Sequence, residues 1–441
     1  MFLKLRFLLV VALFSMLSLS FVVSSSHEDA SASDFACPGP LERPELAAAQ
    51  VVTIDHSVSH ISKVPANAGQ SICLFLRERV ASNRGARKVV LMIHGASVPV
   101  LPGFELRKDH YDWALWLAQA GGFDVFMLDF QGSGFSPRPK MDDPCNVPLS
   151  QQSILIPNPL SATCPDLGIN PSYKFQLINS QSDWAELDTV VDYIRTLRGV
   201  DKVALVSWSQ GSFRIGPYAV MHPDKVDSLL FYAPFFNPAG RPGTGPDGFS
   251  PPLCPPPAPP GTSVPCPGTP MTLTTRSNLM QVQWRPEVQC EGQREDGIEE
   301  FVWSSIMQND ELGRSWGPQL PDGTTAEGVM RVRTPFLWGW NSTTAAKASD
   351  GQPILGLSVP VLIIRGEFDA VIPPTMSGVQ LYDSIPGDHK LYFNVQCAGH
   401  FMVWERQRRV LHHISKEWLT HGTVEGFNTG IFFVDTEGVI H

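Results

Sequence analysis

The stretch Lys202-Val-Ala-Leu-Val-Ser-Trp-Ser209-Gln-Gly211-Ser-Phe213 decides how the rest of the chain is read. Val203 to Val206 is a short apolar run with the character of a buried strand. It ends in small residues, Ser207, Ser209 and Gly211, and Phe213 to Met221 can start a helix. A strand that turns sharply into a helix holds the residue at the apex in a forced, accessible position. The positions two before and two after that apex must be small, or their side chains collide. Ser209 meets both conditions, flanked by Ser207 and Gly211. With Ser207 at the apex, Leu205 would fall two residues earlier, inside the strand, and the turn would fail.

Outward from this turn the same pattern repeats. Lys88-Val-Val-Leu-Met-Ile93 is a continuous apolar strand that runs into His94-Gly95-Ala96-Ser97. Phe123 to Asp129 is another, leaving through Phe130-Gln-Gly132-Ser-Gly134. Val226 to Tyr232 follows the turn. Val359 to Ile364 runs into Arg365-Gly366-Glu367-Phe368-Asp369, and Leu391 to Val395 into Gln396-Cys397-Ala398-Gly399-His400. Between them lie helix-like stretches: Tyr111 to Ala120 with Trp113, Trp116 and Leu117 on one side, Asp183 to Leu197, Pro374 to Tyr382, and Val403 to Leu419. Gln50 to Ser57 and Ser71 to Val80 read as a hairpin ahead of these strands, residues 34 to 48 as an irregular arm, and residues 420 to 441 as a tail with some strand character.

Taken together, these motifs resemble the α/β-hydrolase superfamily over about 90 to 233 and 357 to 418. One departure is Ser207, where the usual G-x-S-x-G turn has its first glycine; serine is still small. The resemblance implies an α/β-hydrolase fold, a mostly parallel central sheet flanked by helices, with an inserted cap or lid. It implies Ser209 as nucleophile, His400 as base and Asp369 as the acid, in the family's order of Ser, Asp, His. The chemistry needs these types: a serine hydroxyl is a poor nucleophile until a base takes its proton, and the imidazole works best when a carboxylate orients it. The family pattern also places the two oxyanion donors on the backbone N–H groups of Gln210 and Ala96. Glu367 is the rival acid, but the Gly-x-x-Asp spacing favours Asp369. His94 is read as bracing its loop, and His110, His222 and His389 as surface or structural. The glycines after Asp129 lack G-x-G-x-x-G and the lysine of a phosphate loop, so a nucleotide site is rejected.

The expected organisation is a core in two parts, residues 34–233 and 357–441, separated by an insertion at 234–356. Within the insertion, 237 to 270 is dominated by proline and glycine, while 271 to 350 is helix-compatible and carries Trp284, Trp303, Trp316, Trp338 and Trp340. Residues 137 to 172 read as a long excursion near the mouth of the site. Glu291, Glu295, Asp296, Glu299 and Glu300 form either a solvated face or a seat for a substrate amine, as in proline aminopeptidases.

Bulk properties narrow the classes. The formal net charge is −10 and no basic cluster is long enough to follow a phosphate backbone, which excludes nucleic acid as partner. Lys4 and Arg6 precede an apolar run, Phe7 to Val23, and a small polar stretch, the layout of a secretory signal peptide over residues 1–26. Ala30-Ser31-Ala32 offers cleavage as late as 32. The protein is therefore expected to be secreted or periplasmic, with no membrane span after signal removal. The 8 cysteines are an even number, and behind a signal they read as disulfides; proximity favours Cys145 with Cys164 and Cys254 with Cys266. None sits in a C-x-x-C pair, so no metal site is expected, and no cofactor motif is present. Cys397 is read as bonded rather than nucleophilic. The expectation is a secreted serine hydrolase acting on a small-molecule ester with an apolar or aromatic part. Alternatives are an interfacial lipase with a proline-rich lid, an aminopeptidase of the same fold, and a non-catalytic binding protein that has kept the fold.

Overall fold

The computed structural model describes residues 36–43, 51–81, 88–245, 247–319 and 327–441. The expected signal peptide and its cleavage site lie outside these residues.

The strands of the main sheet are β1 (Leu41–Glu42), β2 (Val51–Ile61), β3 (Ser71–Ala81), β4 (Val89–Ile93), β5 (Asp124–Leu128), β6 (Val203–Trp208) and β7 (Val226–Tyr232). A separate hairpin, β8 (Met271–Thr275) and β9 (Val329–Arg333), comes next in the chain, followed by β10 (Val361–Gly366), β11 (Lys390–Val395) and β12 (Gly430–Val434) of the main sheet. The main sheet has 10 strands in the order β1-β2-β3-β5-β4-β6-β7-β10-β11-β12. From β5 to β12 every pair is parallel; β1, β2 and β3 join antiparallel. β2 and β3 are the expected hairpin, and the unassigned tail supplies β12, parallel to β11 with Leu391 beside Gly430.

The sheet is buried on both faces, which is why its strands read as continuous apolar runs rather than alternating ones. Val90, Met92, Ala204, Val206, Leu362 and Ile364 face one layer, with α1 (Val100–Phe104) and α2 (Trp113–Ala120). Leu91, Ile93, Val203, Leu205, Leu229 and Ile363 face the other, under α3 (Ser180–Arg198) and α4 (Ser212–Met221). α5 (Ile298–Gln308) packs with the first layer, α6 (Gly378–Ser384) with the second and α7 (Arg408–His421) with the first. Each fully buried aliphatic side chain contributes about 1.5–3 kcal/mol. Leu205→Ala, beneath the turn, would cost about 2–5 kcal/mol.

The helix ends follow local chemistry. Asn179 caps α3 through a reciprocal box with Ser182, and Gly199, at φ +64°, closes it. Asp112 caps α2 by accepting from the Leu115 N–H at 2.7 Å. The expectation that Trp116 shares the inner side with Trp113 and Leu117 fails; it is 41 % exposed and stacks on His412 instead.

Residues 234–356 enter between β7 and β10, which are neighbours in the sheet. Cys254, Cys266, Phe336 and Trp338 form a small cluster with Trp184 of α3, and other parts pack into the layers of the main sheet. Trp284 and Trp303 join the first layer, Trp316 and Trp340 the second. Trp340 reaches α4 because Gly216 leaves room; a Cβ there would stand 2.5 Å from the indole. The helix-compatible expectation for 271 to 350 fails at β8 and β9, which pair antiparallel with Met271 opposite Arg333. The pattern hides this strand because β9 buries two arginines, Arg331 and Arg333, satisfied by ion pairs that sequence periodicity cannot see. The cysteines form four disulfides: the expected Cys145–Cys164 and Cys254–Cys266, together with Cys37–Cys73 and Cys290–Cys397. Among the described residues no helix is long and apolar enough to cross a membrane.

Candidate active site

Ser209 sits at the end of β6 with φ +55°, a left-handed conformation that a non-glycine residue adopts only when its surroundings force it. The crowding that forces small neighbours is visible. A Cβ on Gly211 would lie 2.9 Å from the His94 carbonyl oxygen and 3.0 Å from the Ser207 Cβ. The hydroxymethyl of Ser207 is accommodated, fully buried. Ser209 itself keeps 9 % exposure.

The loop after β4 passes directly over the serine. A Cβ on Gly95 would stand 3.2 Å from the Ser209 Cβ. Ala96, half-buried, follows in the wall of the cavity at Ser209, and Gln210 directly follows the serine at the start of the helix. His94 is fully buried; its Nδ1 lies 2.8 Å from the Gly95 carbonyl and its Nε2 accepts the Phe130 N–H at 3.4 Å. Burial, reinforced by Arg214 and Arg333, holds its pKa well below the ordinary value, so it stays neutral. Its contacts are those of a brace for the loop. The Asp129 turn is structural too: its carboxylate accepts from the Val100 and Phe135 N–H groups at 2.9 and 3.1 Å. Gly134 lies against that carboxylate with no room for a side chain.

Asp369 follows β10 and His400 follows β11. The His400 Nδ1–H donates to Asp369 Oδ2 at 3.1 Å, which turns Nε2 away from the carboxylate. Glu367 is exposed and accepts the Cys397 N–H at 3.2 Å, so it is not the partner of the imidazole. Ser209 and His400 line one cavity of about 100 Å³ with Gly95, Ala96, Trp208 and Phe401. No hydrogen bond joins the Ser209 hydroxyl to the imidazole; such contacts are often long before substrate binds. His400 is held from below, where Trp208 Nε1 and the Tyr232 hydroxyl donate to its carbonyl at 3.0 and 2.6 Å. A second cavity of about 290 Å³ begins at Gln210 and is walled by Phe213, Phe235, Trp338 and Trp340. A larger one, about 620 Å³, lies among Arg43, Asp55, Arg77 and Glu105 and touches none of the expected site residues; chemistry, not size, selects the smaller pair.

Residues 88–248 match the family model of the alpha/beta hydrolase fold. That segment contains the His94–Gly95–Ala96 loop, the Asp129 turn and the strand–Ser209–helix unit, and the sheet order completes it. The chain has the α/β-hydrolase fold, with the family match confined to that segment. No curated protein matches the sequence. Among solved structures, it is similar to a thermophilic esterase from Thermogutta terrifontis at 15 % identity, covering 83 % of this chain and 99 % of that one, with a TM-score of 0.43. It is also similar to the thioesterase domain from the curacin biosynthetic pathway (16 %, 77 % and 94 %, 0.40) and to the carboxylesterase CesB from Bacillus subtilis (13 %, 81 % and 90 %, 0.39).

Several residues around this site escape sequence reading. Arg214, fully buried in α4, donates to the His94 and Gly95 carbonyls at 2.5 and 3.2 Å and to Asp183 at 2.7 Å. Arg333 of the insertion completes the set, bonding both Asp183 oxygens at 3.0 and 2.9 Å. A lone arginine amid Phe213 and Ile215 is the available signal, since buried arginines must be paired. On the other side stands Glu287, also from the insertion. It accepts from the Ala370 and Val371 N–H groups at 2.7 and 3.1 Å and from the His400 N–H at 2.7 Å. Nothing local in Trp284-Arg-Pro-Glu287 marks it. The acids that do draw attention in the sequence point elsewhere: Glu295 pairs with Arg408, Glu299 with Arg294 and Glu300 with Arg276. None of the five lines the cavity at Ser209. Nor does any residue of the 137–172 excursion, which packs its disulfide into the second layer.

Proposed function

We propose that the protein is a serine hydrolase that cleaves a carboxylic ester, or a related lactone or amide, through an acyl-enzyme on Ser209. The observation that carries this is the Asp369–His400 hydrogen bond set in the wall of the cavity that holds the strained Ser209. His400 Nε2 takes the hydroxyl proton as Oγ bonds to the carbonyl carbon. Asp369 holds the imidazole and stabilises its charged form. The N–H groups of Gln210 and Ala96 receive the oxyanion. Collapse breaks the bond to the leaving oxygen, which takes the proton from His400. Water, deprotonated by His400, then releases the acid and restores Ser209.

The aromatic-walled cavity at Gln210 supports a substrate with an apolar or aromatic part. The four disulfides fit an oxidising compartment, in line with secretion. The test is a panel of esters, lactones and aminoacyl amides, with a fluorophosphonate probe. Ser209→Ala should lose on the order of 10⁵ or more in kcat and all labelling. Near-normal turnover by that variant, or a wild type that labels with no probe, favours the non-catalytic binding protein.

A further inference from the structure

We propose that Glu287 is a positioning residue for the base: from the insertion, its carboxylate fastens the Asp369 loop to the His400 loop and supplies a second negative charge beside the imidazole. The inference rests on the catalytic roles given above to His400 and Asp369.

The geometry is specific. One carboxylate oxygen takes the N–H groups of Ala370 and Val371, immediately after the acid; the other takes the N–H of the base residue itself. A single side chain thus spans both loops. Gly399, next to the base, packs against Glu287 Oε2 so closely that a Cβ has no room. The insertion is tied down at the same place by several independent links. Cys290 bonds Cys397, three residues before the base. Gln293 Nε2 donates to the Glu287 carbonyl at 3.0 Å and to Glu405 Oε2 at 3.1 Å, and that same oxygen accepts the Gly399 N–H at 2.8 Å. Trp284 Nε1 donates to the other Glu405 oxygen at 2.8 Å.

Glu287 is fully buried, and among the described residues no lysine or arginine pairs with it. The ionisable groups around it are His400 and Asp369 on the two loops, Tyr232 of β7 and Glu405 before α7; Arg365 is committed to the Asp369 carbonyl at 2.8 Å. Burial pushes the Glu287 carboxyl up to about 7, with His400 opposing and Asp369 adding to the rise. Its ionisation therefore falls near neutral pH, so two neighbouring groups, Glu287 and the base, shape the acid limb of activity together. An adjacent anion stabilises imidazolium, so removing it must lower the pH at which the base becomes free.

The experiment is kcat/KM against pH with 4-nitrophenyl acetate for wild type, Glu287→Gln and Glu287→Asp. Glu287→Gln should lose about 10–100-fold in kcat, the range of supporting residues that orient a site. Its acid limb should move down by about one pH unit or more. Glu287→Asp, with charge kept and reach lost, should fall in kcat with the limb at the wild-type position. Equal loss in both variants with neither limb moved would make Glu287 structural only and overturn the proposal, as would wild-type kcat in Glu287→Gln. If the Gln variant does not fold, the Asp variant decides alone: a limb in place with kcat lowered supports the assignment, and a limb shifted down overturns it. A wild type that neither hydrolyses the ester nor labels with fluorophosphonate sinks the hydrolase reading instead.

Discussion

Beside the His94–Gly95–Ala96 loop, Asp183 lies between Arg214 and Arg333 and pairs with both. Across the cavity, beside His400, Glu287 and Glu405 are buried carboxylates held chiefly by N–H donors of backbone, Gln293 and Trp284. Both braces recruit the insertion, through Arg333 on one side and Glu287 on the other. They differ in what they leave free. A paired charge is electrostatically spent, so the first brace fixes shape. Burial pushes the Glu287 carboxyl up to about 7, so the second brace remains able to change charge near neutral pH.

The contrast predicts different failures. Arg214→Met leaves Asp183 short of a partner and two loop carbonyls unsatisfied. It should cost about 3–5 kcal/mol, read from urea unfolding, with the pH profile of the remaining activity unshifted. A shift of that profile would erase the distinction between the two braces. Removing the Cys290–Cys397 link by a double serine replacement frees a closed loop of 107 residues and should cost about 2–5 kcal/mol. It should also lower kcat, because the insertion then holds His400 by hydrogen bonds alone; thermal melts and ester turnover check both.

The pH dependence of stability sharpens the comparison further. The Glu287 carboxyl titrates near 7 in the fold against an ordinary 4.5. Its contribution to stability is therefore fully present below about pH 4.5 and is lost as pH rises through about 7, by on the order of 3 kcal/mol. Glu287→Gln should remove that decline, so the variant gains on wild type in urea midpoint from pH 5 to pH 8. A constant difference across that range would show that the group does not titrate there. The smallest effect is expected at Glu300, 70 % exposed in its pair with Arg276: Glu300→Gln should shift stability by less than about 1 kcal/mol and leave ester turnover unchanged. Lost turnover there would revive the acidic run as a substrate seat.

What can be read in the chain is whatever depends on short-range pattern. Buried parallel strands need apolar runs, so Val203 to Val206 and Val361 to Ile364 announce themselves. A turn that admits only small flanking residues singles out Ser209, and Gly366 three residues before Asp369 separates it from Glu367. Two disulfides are legible because each closes a short loop; Cys37–Cys73 and Cys290–Cys397 span 36 and 107 residues, where proximity says nothing. β9 escapes notice because it buries arginines; the tail's strand character is legible, but its place beside β11 is a long-range pairing that no local pattern records.

Sequence alone determined the sheet, the turn and the side chains that stand at its strand ends, since local sterics and apolar periodicity act within a few residues. Only the tertiary structure decided what holds them in place. Arg333 and Glu287 reach the site from an insertion that lies well away from every motif in the chain. A buried charge is tolerated only where distant parts of the chain bring it donors or an opposite charge, and no local pattern records where those will be.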